Sequence, residues 1–127
     1  MEKSVKTRPQ LATPNAIAQV VQTIVASKKP QKIILFGSHV AGKAKWDSDV
    51  DLLVIMETDI PPHQRALEIR RLFARLPCPM DLFVYTSAEV EYWKELPSSF
   101  IAHILKQGVV VYEREPAAAD AGVGQQS

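Results

Sequence analysis

"LFGSHVAGKAKWDSDVDLLVIM", residues 35–56, decides how this chain folds, because two incomplete motifs overlap in it. A P-loop needs G-x(4)-G-K followed by a hydroxyl residue and a long helix. Gly37, Gly42 and Lys43 fit, but Ala44 stands in the hydroxyl position, and only a few residues separate Lys43 from a turn at Trp46–Asp47. A calcium loop starting at Asp47 would use Asp49 and Asp51 as its third and fifth positions. It then needs glycine at the sixth position and glutamate at the twelfth, where the chain has Leu52 and Thr58. Neither motif closes.

A third reading uses every residue. A strand ends at Gly37–Ser38, a short turn follows, and Ser48-Asp49-Val50-Asp51-Leu52 leads into the next strand. Residues two apart in a strand share a face at a spacing of about 6.5–7 Å. Asp49 and Asp51 are therefore expected to project side by side, away from Val50, Leu52 and Val54. Paired carboxylates suit Mg²⁺, a hard ion that shares its shell with substrate phosphates. A third carboxylate, Asp81, lies in the otherwise apolar run "MDLFVY", residues 80–85. A charge there is costly to bury alone, and a metal shared with Asp49 and Asp51 accounts for it. The Gly37 and Ser38 amides, at a strand-to-helix turn, suit phosphate oxygens. Three clustered carboxylates repel, so without a metal their proton affinity is expected to rise and the site to splay.

Working outward, "PNAIAQVVQTIVASKKP" sets Ile17, Val20, Val21, Ile24 and Val25 at helical spacing, with Pro14 in the first turn and Pro30 as the stop. "KIILF", residues 32–36, reads as a buried strand. "PPHQRALEIRRLFARLP" predicts a helix with Ala66, Ile69, Phe73 and Leu76 inward and Arg65, Arg71 and Arg75 in solvent. Thr86 with Glu89 forms a capping box for a helix through Trp93. Ser98 or Ser99 begins another, with Phe100, Ile101, Ile104 and Leu105 inward and Gly108 at its end. "VVVYE" is a last strand. These elements predict one small α/β (α+β) domain over residues 14–113, a mixed sheet of three to four strands flanked by helices. Residues 1–13 and 116–127 are expected to be flexible.

At 127 residues, with 46% hydrophobic content and net charge +1, the chain has no basic excess to capture nucleic acid, and no sequence-specific nucleic-acid binding is expected. Its longest apolar run is too short to span a bilayer, and the lone Cys78 cannot form an internal disulfide. A cytoplasmic protein with a buried thiol is expected. His39, beside the phosphate turn, reads as a surface residue.

The pattern G-S-x(3)-G, then S-D-x-D-L, then a lone Asp in a later strand, is carried by Gly37, Ser38, Gly42, Ser48, Asp49, Asp51, Leu52 and Asp81. It resembles the minimal nucleotidyltransferase family of the polymerase-β-like superfamily, over about residues 15–113. The resemblance implies the nucleotidyltransferase fold and transfer of a nucleoside monophosphate, AMP from ATP, to a hydroxyl. Asp49 and Asp51 would hold two Mg²⁺ ions. Asp81 would hold one and help activate the hydroxyl, while Gly37, Ser38, Ser48 and Lys43 would bind the nucleotide. Ala41 stands where such members often carry arginine, which leaves Lys43 or Lys45 to supply the positive charge. Stand-alone members this small resemble antitoxins whose partner is a helical HEPN-domain toxin, so the resemblance implies AMPylation of a partner protein. A binding module that acts by complexation, or an aminoglycoside-type small-molecule transferase, are the alternatives.

Overall fold

The structure is a computed structural model and describes residues 13–45 and 47–115. Apart from Thr13, the expected flexible termini lie outside the described residues, as does Trp46. Helix α1 (Pro14–Lys28) starts where the Thr13 hydroxyl accepts a hydrogen bond from the Ala16 N–H. Strand β1 (Lys32–Phe36), the single-turn helix α2 (Ser38–Ala41) and strand β2 (Val50–Ile55) follow. Then come α3 (Pro62–Arg70), β3 (Met80–Tyr85), α4 (Ser87–Lys94), α5 (Phe100–Gln107) and β4 (Val109–Glu113). The sheet order is β3-β2-β1-β4, with β1 antiparallel to both β2 and β4 and β2 parallel to β3. The sheet is mixed, as the sequence predicts, and has four strands of the three to four expected.

Alternation along β2 divides the core. Val50, Leu52 and Val54 join Val20 and Ile24 of α1 and Ile69 of α3 on one face. Leu53 and Ile55 join Val90 of α4 and Ile101 and Ile104 of α5 on the other. Both faces are covered, so nearly every residue of β2 is apolar and buried, as expected of a strand inside a three-layer sandwich. Asp51 is the one residue of β2 that is not buried. It lies on the Leu53 face, near the start of β2. No helix among the described residues is long and apolar enough to cross a membrane. Cys78 is buried, and burial pushes its thiol up.

Three expectations need correction. Helix α3 stops at Arg70 instead of running through Leu76. The Leu72 and Phe73 amides bond three residues back, to Ile69 and Arg70, so the helix tightens and the chain turns toward Pro77 and Pro79. Phe73 and Leu76 still pack on the core, from irregular backbone. Second, Phe100 and Leu105 are exposed, and Ile101 and Ile104 alone form the buried stripe of α5.

Third, Arg65 does not face solvent; it is 8% exposed. Its guanidinium donates to the Ile60 and Val84 carbonyls and to both Glu89 oxygens, at 2.7 and 3.2 Å. Arg70 likewise donates to the Met80 carbonyl at 2.7 Å. The Pro79 and Tyr85 carbonyls face β2, so those of Met80 and Val84 point out from the sheet edge. Two arginines of α3 thus cover an edge strand that would otherwise be open to pairing.

The Arg65 hydrogen bonds, with the Thr86 backbone of the capping box, hold Glu89 below the usual glutamate range. The stabilisation this represents is complete above the ordinary value of 4.5 and is lost as pH falls through the lowered value. Glu89→Gln keeps the capping box. Its deficit in urea unfolding is expected to be largest near neutral pH and to shrink as pH drops below 4.5. Arg65→Ala is expected to cost about 2–4 kcal/mol, because it strands a carboxylate and a buried carbonyl.

Candidate active site

Gly37 closes β1 with a positive φ of 84°, a conformation that glycine adopts without strain. Its backbone lies directly against Asp51. A Cβ added to Gly37 would overlap the Asp51 Oδ2 and sit 3.1 Å from its Cγ. Gly37 also caps α2 without a side chain, so the Ser38 and His39 amides precede the first internal bond of the turn, from Val40 N–H to the Gly37 carbonyl. At the far end of α2, Gly42 takes a φ of 76° with open space around it.

Across the sheet, Phe36 pairs with Asp51 and Asp51 pairs with Asp81. Asp51 and Asp81 share a face because both follow the pleat of adjacent, in-register parallel strands. Asp49 lies one residue before β2, on an exposed loop rather than in the strand. Burial, then the charges of Asp81 and Asp49, push the Asp51 carboxyl up, while His39 draws it down. The two neighbouring charges act on Asp51 as expected of clustered acids, but burial is the larger cause.

The three carboxylates do not converge: no three His, Cys, Asp or Glu side chains among the described residues are grouped closely enough to hold an ion as they stand. Asp81 is half exposed, and its Oδ1 lies 3.9 Å from the Arg70 guanidinium. The donor set nonetheless fits a hard divalent cation. It is all oxygen, and the charges of Asp81 and Asp49 act on Asp51 in the direction that a bound cation would relieve.

The remaining predicted residues are placed as follows. Lys43 is exposed on the loop after α2. The Ser48 hydroxyl accepts the Lys45 N–H at 2.7 Å and so closes the loop before β2. His39, read as a surface residue, is half-buried, with its Nε2 3.0 Å from the Ser48 carbonyl. A carbonyl only accepts, so Nε2 carries the proton. His39 therefore ties α2 to the carboxylate loop, a role that its nine-residue separation from Ser48 hid. Arg70 was missed as well. The signal was its position at the end of α3, opposite the acidic start of β3.

The arrangement sets the Gly37 turn beside Asp51 and Asp81 at one end of a mixed sheet, with Asp49 on the loop that leads into β2. The polymerase beta nucleotidyltransferase family model matches residues 18–117, and the chain belongs to that family. A protein of Methanocaldococcus jannaschii, provisionally named a protein adenylyltransferase, is 29% identical over 91 residues, which span 72% of this chain and 87% of the relative. The crystal structure of a provisionally named nucleotidyltransferase from Sulfolobus solfataricus superposes with a TM-score of 0.56 at 16% identity, over 79% of each chain. A toxin–antitoxin structure with AMP-PNP aligns with a TM-score of 0.49 at 22% identity, over 80% of this chain and 73% of that one.

Proposed function

We propose that this nucleotidyltransferase transfers AMP from ATP to a hydroxyl of a partner protein, and that the partner is a helical HEPN-type toxin which the modification silences. The observation that carries the reading is the register of Asp51 with Asp81 on one open face beside the Gly37 backbone. Asp49, Asp51 and Asp81 would hold Mg²⁺, which when bound neutralises charge on the reacting phosphate. Gly37, Ser38, Ser48 and Lys43 bind the nucleotide, with the His39 amide beside that of Ser38 at the start of α2. The acceptor oxygen bonds to the α-phosphorus, the α–β bridging P–O bond breaks, and pyrophosphate leaves with the electron pair. Asp81, the most exposed of the paired strand acids, takes the hydroxyl proton. Loop closure by His39 and Ser48 keeps Asp49 near the reacting phosphate. The name of the M. jannaschii relative supports a protein acceptor and an adenylyl group.

The test incubates the protein with the product of the neighbouring gene, ATP and Mg²⁺, and reads intact mass. The partner is expected to gain the mass of AMP less water with the natural chain and not with Asp49→Ala/Asp51→Ala. Neutralisation that survives those substitutions with no mass gain would replace this reading with that of a binding module. Modification of a small molecule with no partner present would replace it with the small-molecule enzyme.

A further inference from the structure

Helix α3 and the Asp81 side chain lie on opposite faces of the sheet. Met80, Leu82 and Val84 pack with Ile69 of α3 on one face. Asp81, between Met80 and Leu82 in the same strand, points to the other. Arg70 is the last residue of α3, and β3 is an outermost strand. Its guanidinium therefore reaches Asp81 only by passing round the sheet edge. One nitrogen makes both contacts there. Nη2 donates to the outward Met80 carbonyl at 2.7 Å and lies 3.9 Å from Asp81 Oδ1. The first contact is a full hydrogen bond and fixes the guanidinium at the edge. The second is too long for a hydrogen bond, so it attracts the carboxylate without clamping it.

Asp81 thus stands between two charges. Arg70 draws it toward the edge, while Asp51, its register partner on β2, repels it from the middle of the sheet. Both forces act outward, which fits a carboxylate that does not converge with Asp51 and Asp49. A divalent ion beside Asp51 reverses the second force, because its two positive charges outweigh one carboxylate. Only Arg70 then opposes the inward swing of Asp81. The pair is open to solvent, with Arg70 36% and Asp81 51% exposed, so the carboxylate can change partners without any unfolding.

We propose that Arg70 is a positioning residue that holds Asp81 at the sheet edge until a divalent ion enters beside Asp51, and that Asp81 then joins the ion by exchanging partners. The inference rests on the metal site proposed above. Arg70 acts through Asp81, and its charge makes the chain bind the ion more weakly than the three carboxylates would on their own. The Met80 hydrogen bond keeps the guanidinium at the edge after the exchange, so Asp81 can return when the ion leaves.

The test titrates the chain with Mn²⁺, alone and with AMP-PNP, and follows the free ion by electron paramagnetic resonance. Arg70→Gln keeps a donor for the Met80 carbonyl and loses the charge. It is expected to bind Mn²⁺ about two- to fivefold more tightly than the natural chain, the range set by an exposed ion pair. Arg70→Ala, a second neutral variant, should show the same gain, and Arg70→Lys should bind as the natural chain does. In an Asp81→Asn background the gain from Arg70→Gln should vanish, because the two residues act as one unit. A merely structural role at the strand edge would lower the unfolding temperature in EDTA and leave Mn²⁺ affinity unmoved. Unchanged or weaker uptake by both neutral variants would overturn the inference and leave the metal site standing. So would a gain that persists with Asp81→Asn, or one that Arg70→Lys shares. No Mn²⁺ uptake by the natural chain under either condition would overturn the reading of the metal site, and this inference with it.

Discussion

Asp51→Asn is expected to fold at least as stably as the natural chain and to lose about 10²–10³-fold or more of its transfer rate. The two effects have one cause. Burial and the charges of Asp81 and Asp49 make the ionised form of Asp51 unfavourable in the folded chain. The folded carboxyl therefore binds its proton more tightly than the unfolded one. Ionisation above the raised value subtracts from stability, and that penalty is present at neutral pH. Asparagine has nearly the same shape and no charge, so it removes the penalty. It also removes an anionic oxygen from the only strand acid that faces both of the others. Thermal unfolding and pyrophosphate release on the same preparation check both halves. A substitution that lowered stability and left the rate intact would mean that Asp51 is a structural acid.

Gly37→Ala is expected to lose about 10²-fold in rate and about 1–3 kcal/mol in stability. Alanine is strained at a φ of 84°, and its Cβ would overlap the Asp51 carboxylate. Either the turn or the carboxylate must move, and a misplacement of about 1 Å at a reacting centre is enough for a loss of that size. Gly42→Ala separates the two effects. Gly42 has nearly the same φ, 76°, but no atom within 4 Å of an added Cβ. It should show a similar loss of stability and a much smaller loss of rate. Equal rate losses for the two variants would show that backbone strain alone, and not contact with Asp51, is what requires glycine at position 37.

Much of this architecture is legible in the residues. β1, β2 and β3 are short runs of branched apolar side chains bounded by glycine, proline or acid, and the Thr86–Glu89 capping box marks the start of α4 where it is observed. Asp81 stands out because every neighbour in its strand is apolar or aromatic. The register that sets it beside Asp51 was not legible. The pairing is parallel and crosses a whole helix, so no local signal specifies it.

Arg65 was misread through its charge. It sits four residues before Ile69 and so shares the buried stripe of α3, and the compensating Glu89 is 24 positions away on another helix. The end of α3 was overrun because Phe73 and Leu76 keep the apolar spacing after the helix has stopped. They reach the same core from irregular backbone, where periodicity carries no information about hydrogen bonding. The exposure of Phe100 escaped for the opposite reason. Its spacing fits the inner face of α5, but its ring lies over the open end of the sheet.

In the proposed reaction Asp49, Asp51 and Asp81 act together as one oxygen-ligand set at the start of β2 and β3. Titration of the protein with Mn²⁺ in the presence of AMP-PNP, followed by electron paramagnetic resonance of the free ion, tests it most directly. Saturable Mn²⁺ uptake is expected of the natural chain, abolished by Asp51→Asn and weakened by Asp81→Asn. Uptake by Asp51→Asn as tight as that of the natural chain would contradict it.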